Sequence, residues 1–226
     1  SYGGPVHTGT WDAEKSEALF GHFQKKKVSL HIDGNPLWQY ELPGYFVRQQ
    51  ADTFALYLNR PLEDIYRGFS EAHRRGIKTA QKKGVSVRRA SGRGDYAAYS
   101  AMYADTLRRW GDSTIIRFPD AFTLRLLETG ADAVTMWLAE VAEKPVAGII
   151  MLYWNSMAHY WRGASLQGYE TYHANTLLQW TAIQDAHTRG FGLYDFAPSG
   201  ALQGVEEFKR RFGAEKIVFS RGHLRT

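Results

Sequence analysis

The sequence predicts an α/β (α+β) protein in which helices flank a mixed, largely antiparallel sheet. Three observations predict this class. Residues 134–162 form apolar runs separated by two short polar turns, which is typical of an antiparallel meander. The segment 174–189 then carries apolar residues at helical spacing. After it, short apolar strands alternate with one more helix as far as residue 220.

The meander is predicted to contain three strands, at Val134–Glu143, Val146–Trp154 and Met157–Arg162. They are rich in β-branched and aromatic residues, and polar turns at 143–145 and 155–156 separate them. The next helix, Ala174–Arg189, is predicted to end at Gly190, which supplies a left-handed cap.

The remaining elements complete the predicted sheet. Leu193–Phe196 is predicted to be a short buried strand, and a turn at 198–200 leads into a helix whose Val205, Phe208 and Phe212 share one face. Gly213 is predicted to close that helix before a strand at Lys216–Ser220. Upstream, the sequence predicts a polar helix at Asp12–Lys26 and strands near Val28–Ile32 and Trp38–Leu42.

Residues 62–83 are predicted to form a single amphipathic helix that is strongly basic on one side. Its apolar positions fall on one side of a helical wheel, and basic residues occupy the other. The basic set includes Arg67, Arg74, Lys78 and Lys82, with Arg75 and Lys83 flanking the apolar stripe. This basic stripe predicts an anionic partner, and the alternative is a solvated helix face.

Composition excludes several classes of chemistry. The chain has 226 residues, a formal net charge of +5 and no cysteine, so disulfides, thiolate metal sites and a cysteine nucleophile are excluded. The absence of cysteine fits a cytoplasmic location, and the longest apolar run, Val146–Trp154, is far shorter than a membrane span. The histidines lack metal-ligand spacing and no Walker loop is present, so we expect no bound metal and no nucleotide hydrolysis.

The order of these elements resembles the second half of a GNAT acyltransferase domain. Within that superfamily the sequence motifs are most similar to those of the FemAB-like proteins, which include the Fem peptidoglycan-bridge aminoacyltransferases of bacteria. The phrases that carry the resemblance are RGIKTAQKKGV at 75–85, PVAG at 145–148, YWRGAS at 160–165, LQW at 178–180, RG at 189–190 with YDF at 194–196, and FKRRFG at 208–213.

The resemblance also implies a domain organisation. Residues 1–5, SYGGP, look like an interior phrase of FemAB-like proteins. We therefore expect residues 1–58 to be the C-terminal part of a first GNAT-like domain that is truncated, and residues 59–226 to be a GNAT-like acyltransferase domain.

Lys209 and Asp195 are the candidate catalytic residues, Lys209 through the resemblance and Asp195 through its position on a strand end beside a turn. The pair Phe208-Lys209 is similar to a Phe-Lys pair that lies at the donor's acyl end in Fem transferases, where a cation can offset developing charge. The alternative for Lys209 is an interaction with the helix dipole, and Phe208 is also a candidate core residue. Lys209→Met should cost less than about 1 kcal/mol of stability, because Met keeps the aliphatic stem. Asp195, at a strand end, is expected either to assist the acceptor amine or to cap the next turn.

Further residues are candidates for binding the donor or the acceptor. Tyr160 and Arg162 alternate to one face of their strand and could line one groove. His173 is a candidate base, with a surface or capping role as the alternative. Arg74, Arg75 and Lys78 would bind phosphates, because Fem transferases use aminoacyl-tRNA and a phosphate-bearing precursor.

The predicted function is transfer of an aminoacyl or other acyl group onto an amine, in the Fem case of a cell-wall precursor. The co-substrate would be aminoacyl-tRNA or acyl-CoA. The segment 163–174 has two glycines without the spacing of the acyl-CoA loop, which favours a donor other than acetyl-CoA. Two alternatives stay open: an acyl-CoA-dependent N-acyltransferase on a small molecule or polysaccharide, and a non-catalytic basic module that binds RNA or anionic glycans.

Overall fold

The computed structural model describes residues 10–36, 41–110, 118–199 and 203–225, and for Trp110 the backbone alone. The chain divides into two compact units. The first contains residues 1–54 and 216–226, and the second contains residues 55–215.

The first unit combines one helix with three strands in the order β1-β8-β2. Helix α1 spans Ala13–Lys25, and the strands are β1 (Leu30–Asp33), β2 (Val47–Tyr57, whose last residues belong to the second unit) and β8 (Glu215–Leu224). The side chain of Asp12 accepts a hydrogen bond from the amide of Lys15 and so caps α1. A small core of buried apolar side chains holds this unit together, formed by Phe20, Ile32, Leu42, Phe46 and Leu224.

The second unit is built on strands in the order β7-β6-β5-β4-β3, with the last residues of β2 beside β7. Its strands are β3 (Ser86–Arg89), β4 (Val134–Val141), β5 (Lys144–Trp154), β6 (Met157–Ser165) and β7 (Leu193–Asp195). Its helices are α2 (Leu62–Arg67), α3 (Glu71–Lys82), α4 (Gly92–Trp110), α5 (Asp120–Thr129), α6 (Ala174–Thr188) and α7 (Gln203–Arg210). Strands β3 to β6 pair antiparallel, whereas β6 and β7 run parallel. The predicted mixed, largely antiparallel sheet is confirmed.

The two faces of this sheet are covered by different helices because side chains alternate along each strand. Helix α4 packs its Tyr99 and Met102 against Leu138, Ile150 and Ala164. On the other face the hydroxyl of Tyr194 donates to Gln179 of α6 at 2.6 Å, and the hydroxyl of Tyr153 donates to Asp185 of the same helix at 3.2 Å. The sheet therefore has an α4/α5 face and an α6 face.

The predicted single helix over 62–83 is wrong, because the chain breaks between α2 and α3. Gly68 is the C-cap of α2, and the side chain of Ser70 then accepts a hydrogen bond from the amide of His73 at 3.2 Å. The amide of Ser70 donates instead to the carbonyl of Arg211 at 2.8 Å. A capping side chain and a tertiary hydrogen bond thus replace one turn of helix.

Most other predicted elements are confirmed within a few residues. The meander, α6 and β7 are present, and Gly190 and Gly213 have the left-handed φ values of 80° and 72° that their predicted capping roles require. The predicted strand near Trp38–Leu42 falls largely on residues 37–40, which lie outside the described residues. The sequence analysis did not predict β2, β3, α4 or α5.

Candidate functional site

The strands β6 and β7 separate after a short parallel contact. They pair at only three positions, Met157↔Leu193, Ala158↔Tyr194 and His159↔Asp195, and β6 then continues to Ser165 while β7 ends. Ala197, two residues beyond β7, has a left-handed φ of 61°, so the chain changes direction there. An opening follows from this geometry, with β6 on one side and the segment after β7 on the other.

A β-bulge lies in β6 beside this opening. Tyr160 pairs with Met151 and Arg162 pairs with Ile150, so Trp161 is an extra residue without a position in the register of β5. A bulge of this kind interrupts the ladder of hydrogen bonds and redirects the neighbouring side chains. The bulge makes the backbone of Trp161 the part of β6 best suited to donate a hydrogen bond to a ligand.

A buried His–Asp pair lies at the point where the strands separate. Nδ1 of His159 lies 2.5 Å from Oδ2 of Asp195, and the two residues are 6% and 0% exposed. The other carboxylate oxygen of Asp195 accepts a hydrogen bond from the amide of Ala197 at 3.1 Å. Asp195 therefore does cap the following turn, as one of its two predicted roles required, and it also holds a histidine that the sequence analysis did not select.

Lys209 is buried and binds the segment that follows β7. Its ammonium group donates to the carbonyl of Ala197 at 2.6 Å and to that of Pro198 at 3.0 Å, and the residue is 2% exposed. Asp195 and Lys209 thus bind the two ends of the same residue, Ala197. The expectation that Lys209→Met costs less than about 1 kcal/mol is corrected, because these buried hydrogen bonds would be lost.

Phe208 packs between helices rather than standing exposed. It is half-buried, and its ring contacts Phe212 and His73 with centroid distances of 5.3 and 5.0 Å. Nε2 of His73 lies 3.0 Å from the carbonyl of Phe208. Burial lowers the pKa of His73 below its usual 6.5, so the neutral ring donates this hydrogen bond at neutral pH. His73, which the sequence analysis also missed, fixes α7 against α3.

Tyr160 and Arg162 both lie beside Tyr103 of α4. The guanidinium of Arg162 is 5.3 Å from the centre of the Tyr103 ring, and burial together with Tyr103 raises the pKa of the Tyr160 hydroxyl. Tyr160 is therefore a neutral hydroxyl at physiological pH. The structure thus places both side chains near the same ring, and their role in lining a binding groove stays a prediction.

The basic stripe is on the surface of α3. Arg75 and Lys78 are exposed, and Arg75 lies 3.3 Å from Glu71 in an (i, i+4) pair. Arg74 is half-buried and donates to the carbonyl of Arg67 at 2.8 Å. These contacts leave the positive charges accessible to a large anionic partner.

The loop between β6 and α6 ends at His173. This residue is exposed and has a left-handed φ of 54°, and it forms no side-chain capping hydrogen bond at the start of α6. Two lysines hold the loop: Lys83 donates to the carbonyl of Thr171 at 2.9 Å, and Lys144 donates to the hydroxyl of Tyr169 at 3.2 Å. The start of α6 is thus flanked by positive charge.

The part of the chain that the structure describes contains neither a cluster of metal ligands nor a helix suited to cross a membrane. No group of three or more His, Cys, Asp or Glu side chains in residues 10–36, 41–110, 118–199 and 203–225 could hold a metal ion. Over the same ranges, no helix has both the length and the apolar character that crossing a bilayer requires.

Comparisons with known proteins identify the family. A family model described as "Acetyltransferase (GNAT) domain" matches residues 67–210, more than half of the chain. Among solved structures, FemX superposes with a TM-score of 0.67 at 13% identity, over 94% of this chain and 69% of that one. The C-terminal domain of a putative lysylphosphatidylglycerol synthetase from Agrobacterium fabrum gives a TM-score of 0.62 at 8% identity, over 95% and 75%.

A third structure, L-PGS from Bacillus licheniformis, gives a TM-score of 0.59 at 9% identity, over 78% of this chain and 62% of that one. No curated protein sequence matches the chain significantly. At these identities the structural matches demonstrate the fold alone. The predicted resemblance is confirmed at that level, and the chain belongs to the GNAT acetyltransferase-domain family.

Proposed function

We propose that the chain transfers an aminoacyl group from an activated donor to an amine acceptor at the opening between β6 and β7. One observation carries this proposal: the two parallel strands separate at His159 and Asp195, directly beside the bulge at Trp161. The opening gives two substrates access to one point between neighbouring strands in the interior of the sheet. Acyl transfer between two bound substrates needs such a meeting point and requires no covalent enzyme intermediate.

The chemistry follows from the groups around the opening. The acceptor amine attacks the carbonyl carbon of the donor, a C–N bond forms, and the bond to the donor's ester or thioester leaving atom breaks. The backbone amide of Trp161 stabilises the oxyanion. With Asp195 beside Nδ1 of His159 at 2.5 Å, Nε2 is the basic nitrogen of the ring, so His159 accepts the proton that the amine loses and the leaving group receives it.

Lys209 acts on the other side of the opening. Its hydrogen bonds to the carbonyls of Ala197 and Pro198 fix the segment after β7, and its positive charge lies next to that segment. Its resemblance to the Fem lysine supports a place at the donor's acyl end. We propose that Lys209 positions this edge of the opening and favours negative charge there.

Aminoacyl-tRNA is our first choice of donor. The exposed cations of the basic stripe support a polyanionic donor, and so does the likeness of the fold to FemX. By the same resemblance, the acceptor would be the amine of a cell-envelope precursor.

Acyl-CoA is the second candidate donor. It is supported by the family match and by the lysines, Lys83 and Lys144, beside the start of α6, where a helix N-terminus suits a pyrophosphate. The glycine spacing of the preceding loop argues against it.

A donor panel tests the proposal. Purified protein is mixed with an amine acceptor mixture and either aminoacyl-tRNA or acyl-CoA, each carrying a radiolabelled acyl group, and label in the amine fraction is measured. Transfer from aminoacyl-tRNA that Asp195→Asn abolishes and Arg210→Met retains would support the proposal; Arg210 is exposed on the same helix as Lys209.

Other results discriminate the alternatives. Transfer from acyl-CoA alone would favour the second candidate. No transfer from either donor, with tRNA binding retained in an Asp195→Asn, Lys209→Met double variant, would favour a non-catalytic basic module.

A further inference from the structure

Arg162 is half-buried, and its guanidinium is enclosed by aromatic rings. Its guanidinium carbon lies 4.0, 4.6 and 5.3 Å from the ring centres of Trp161, Phe118 and Tyr103. Nη1 has one long contact, 3.4 Å, to the hydroxyl of Thr123 on α5. Nη2 is inaccessible to water and finds no hydrogen-bond acceptor among the described residues.

This arrangement is costly for a cation. A guanidinium taken out of water loses strong hydration, and aromatic faces recover only part of it. A buried donor without an acceptor adds a further penalty, so native structures rarely keep one without a function. A second buried donor in the same cluster, the hydroxyl of Tyr99, also lacks a partner among the described residues, and its ring stacks on Tyr103 at 6.0 Å. We therefore expect a ligand to supply the hydrogen-bond acceptor that Arg162 and Tyr99 lack among the described residues.

Arg162 follows the bulge residue Trp161 directly. The guanidinium and the aromatic rings around it therefore lie one residue from the proposed point of transfer. It is on the α4/α5 face of the sheet, since its contacts are to Tyr103 and Thr123 on those helices. The basic stripe proposed for tRNA is on α3, which packs against α6, and the site considered for acyl-CoA is at the start of α6, so both proposed donor sites are on the opposite face. The ligand of Arg162 is therefore part of the acceptor.

We propose that Arg162 binds a carboxylate of the acceptor, which makes the acceptor an amine of the amino-acid or peptide class. The charge balance selects the carboxylate. One guanidinium neutralises the single charge of a carboxylate, whereas a phosphate monoester carries close to two at neutral pH. Among the described residues, the cations in the last turn of α4, Arg108 and Arg109, already pair with Asp105 at 2.8 and 3.3 Å. A phosphate would thus leave negative charge uncompensated in a half-buried site.

This inference rests on the proposed function for the assignment to the acceptor, but its test needs neither donor nor turnover. Binding to the full chain is followed by tryptophan fluorescence, since Trp161 lies against the guanidinium. The probes are Nα-acetyl-lysine, its carboxamide, and 5-aminopentyl phosphate. They share a primary amine and differ in the acidic group. We expect the free acid to bind at least about tenfold more tightly than the amide, as a charge-assisted hydrogen bond implies.

Three variants locate the effect. Arg162→Gln should abolish the preference for the acid, and Arg162→Lys, which keeps the charge but lacks the fork, should keep part of it. Arg125→Gln removes the same charge from an exposed position on α5, 75% exposed in its side chain, and should keep all of it. The melting temperature of each variant should stay within about 4 °C of the parent. Arg162 has no carboxylate partner among the described residues, and Glu128, which loses an exposed contact of 3.9 Å in Arg125→Gln, keeps its pair with Arg93.

Any other binding result overturns the inference. Equal binding of acid and amide, or binding of neither up to their solubility limits, would show that Arg162 recognises no carboxylate. A preference that persists in Arg162→Gln would place recognition elsewhere, and tighter binding of the phosphate would overturn the carboxylate assignment. A protein that prefers the acid yet transfers no acyl group would retain this site while the proposed function failed.

Discussion

Replacing Lys209 by Met tests how α7 is joined to the edge of the opening. The change removes two hydrogen bonds from a charged donor, at 2.6 and 3.0 Å, each contributing about 1.5–3 kcal/mol. Losing the buried ammonium also recovers several kcal/mol of its desolvation cost. Pro198 is exposed, so water can reach its carbonyl once the lysine is gone. The lost hydrogen bonds outweigh the recovered desolvation cost, and we expect the free energy of unfolding to fall by about 2 kcal/mol.

The assay combines stability and turnover. Thermal unfolding followed by circular dichroism should show a fall of roughly 4–8 °C for Lys209→Met. At a temperature where the variant is fully folded, turnover should still fall by about a hundredfold, because the charge beside the transfer site is gone. Arg210→Met is the matched control. It forms an (i, i+4) pair with Glu206 at 2.8 Å on the surface of the same helix, so its stability should change by less than about 1 kcal/mol and its turnover should be unchanged.

Two results would refute this reasoning. An unchanged melting temperature would mean that the contacts to the carbonyls of Ala197 and Pro198 contribute nothing net. A destabilised Lys209→Met protein with parental turnover would show that the lysine serves the fold alone and has no part in transfer.

Three other changes have expected outcomes. Charge reversal at Arg74 and Lys78 should weaken tRNA retention and lower the slope of log affinity against log salt by up to about two, with unaltered retention contradicting the anionic partner. Burial lowers the pKa of His73 below 6.5, so the unfolded state binds its proton more tightly and stability falls as pH drops below about 6.5. The melting temperature should depend less on pH in His73→Gln than in the parent, whereas His22→Gln, at an exposed position, should keep the parental dependence. Ser70→Ala should cost about 1 kcal/mol in urea unfolding, since it removes the cap of α3, and no change would contradict that role.

The sequence predicted those elements whose signal is local. The meander and α6 have unbroken apolar patterns, and Gly190 and Gly213 mark helix ends through backbone conformations that glycine adopts readily. Strand β2 was missed because its first half, VRQQAD, is mostly polar and is exposed or half-buried. It therefore lacks the alternation of apolar and polar residues that indicates a strand. The break before α3 was missed because the apolar stripe continues across it, and the Ser70 cap gives a weaker signal than that stripe.

The candidate site was only partly predictable because its contacts are non-local. Lys209 was selected through the resemblance and Asp195 for its place at a strand end, but their common contact with Ala197 depends on how α7 packs. His159 is 36 residues from Asp195 and meets it only through the parallel pairing of β6 and β7. Arg162 was selected for its strand position, yet its missing acceptor is a property of the folded protein and has no sequence signal.

Photo-crosslinking tests most directly the claim that transfer occurs between β6 and β7. Aminoacyl-tRNA and acyl-CoA, each carrying a diazirine in the acyl group, are irradiated with the protein, and the labelled peptides are mapped by mass spectrometry. Label is expected at residues 160–162 or 196–197, on the two sides of the opening. Label confined to α3 or to residues 10–54, with none at the opening, would contradict it.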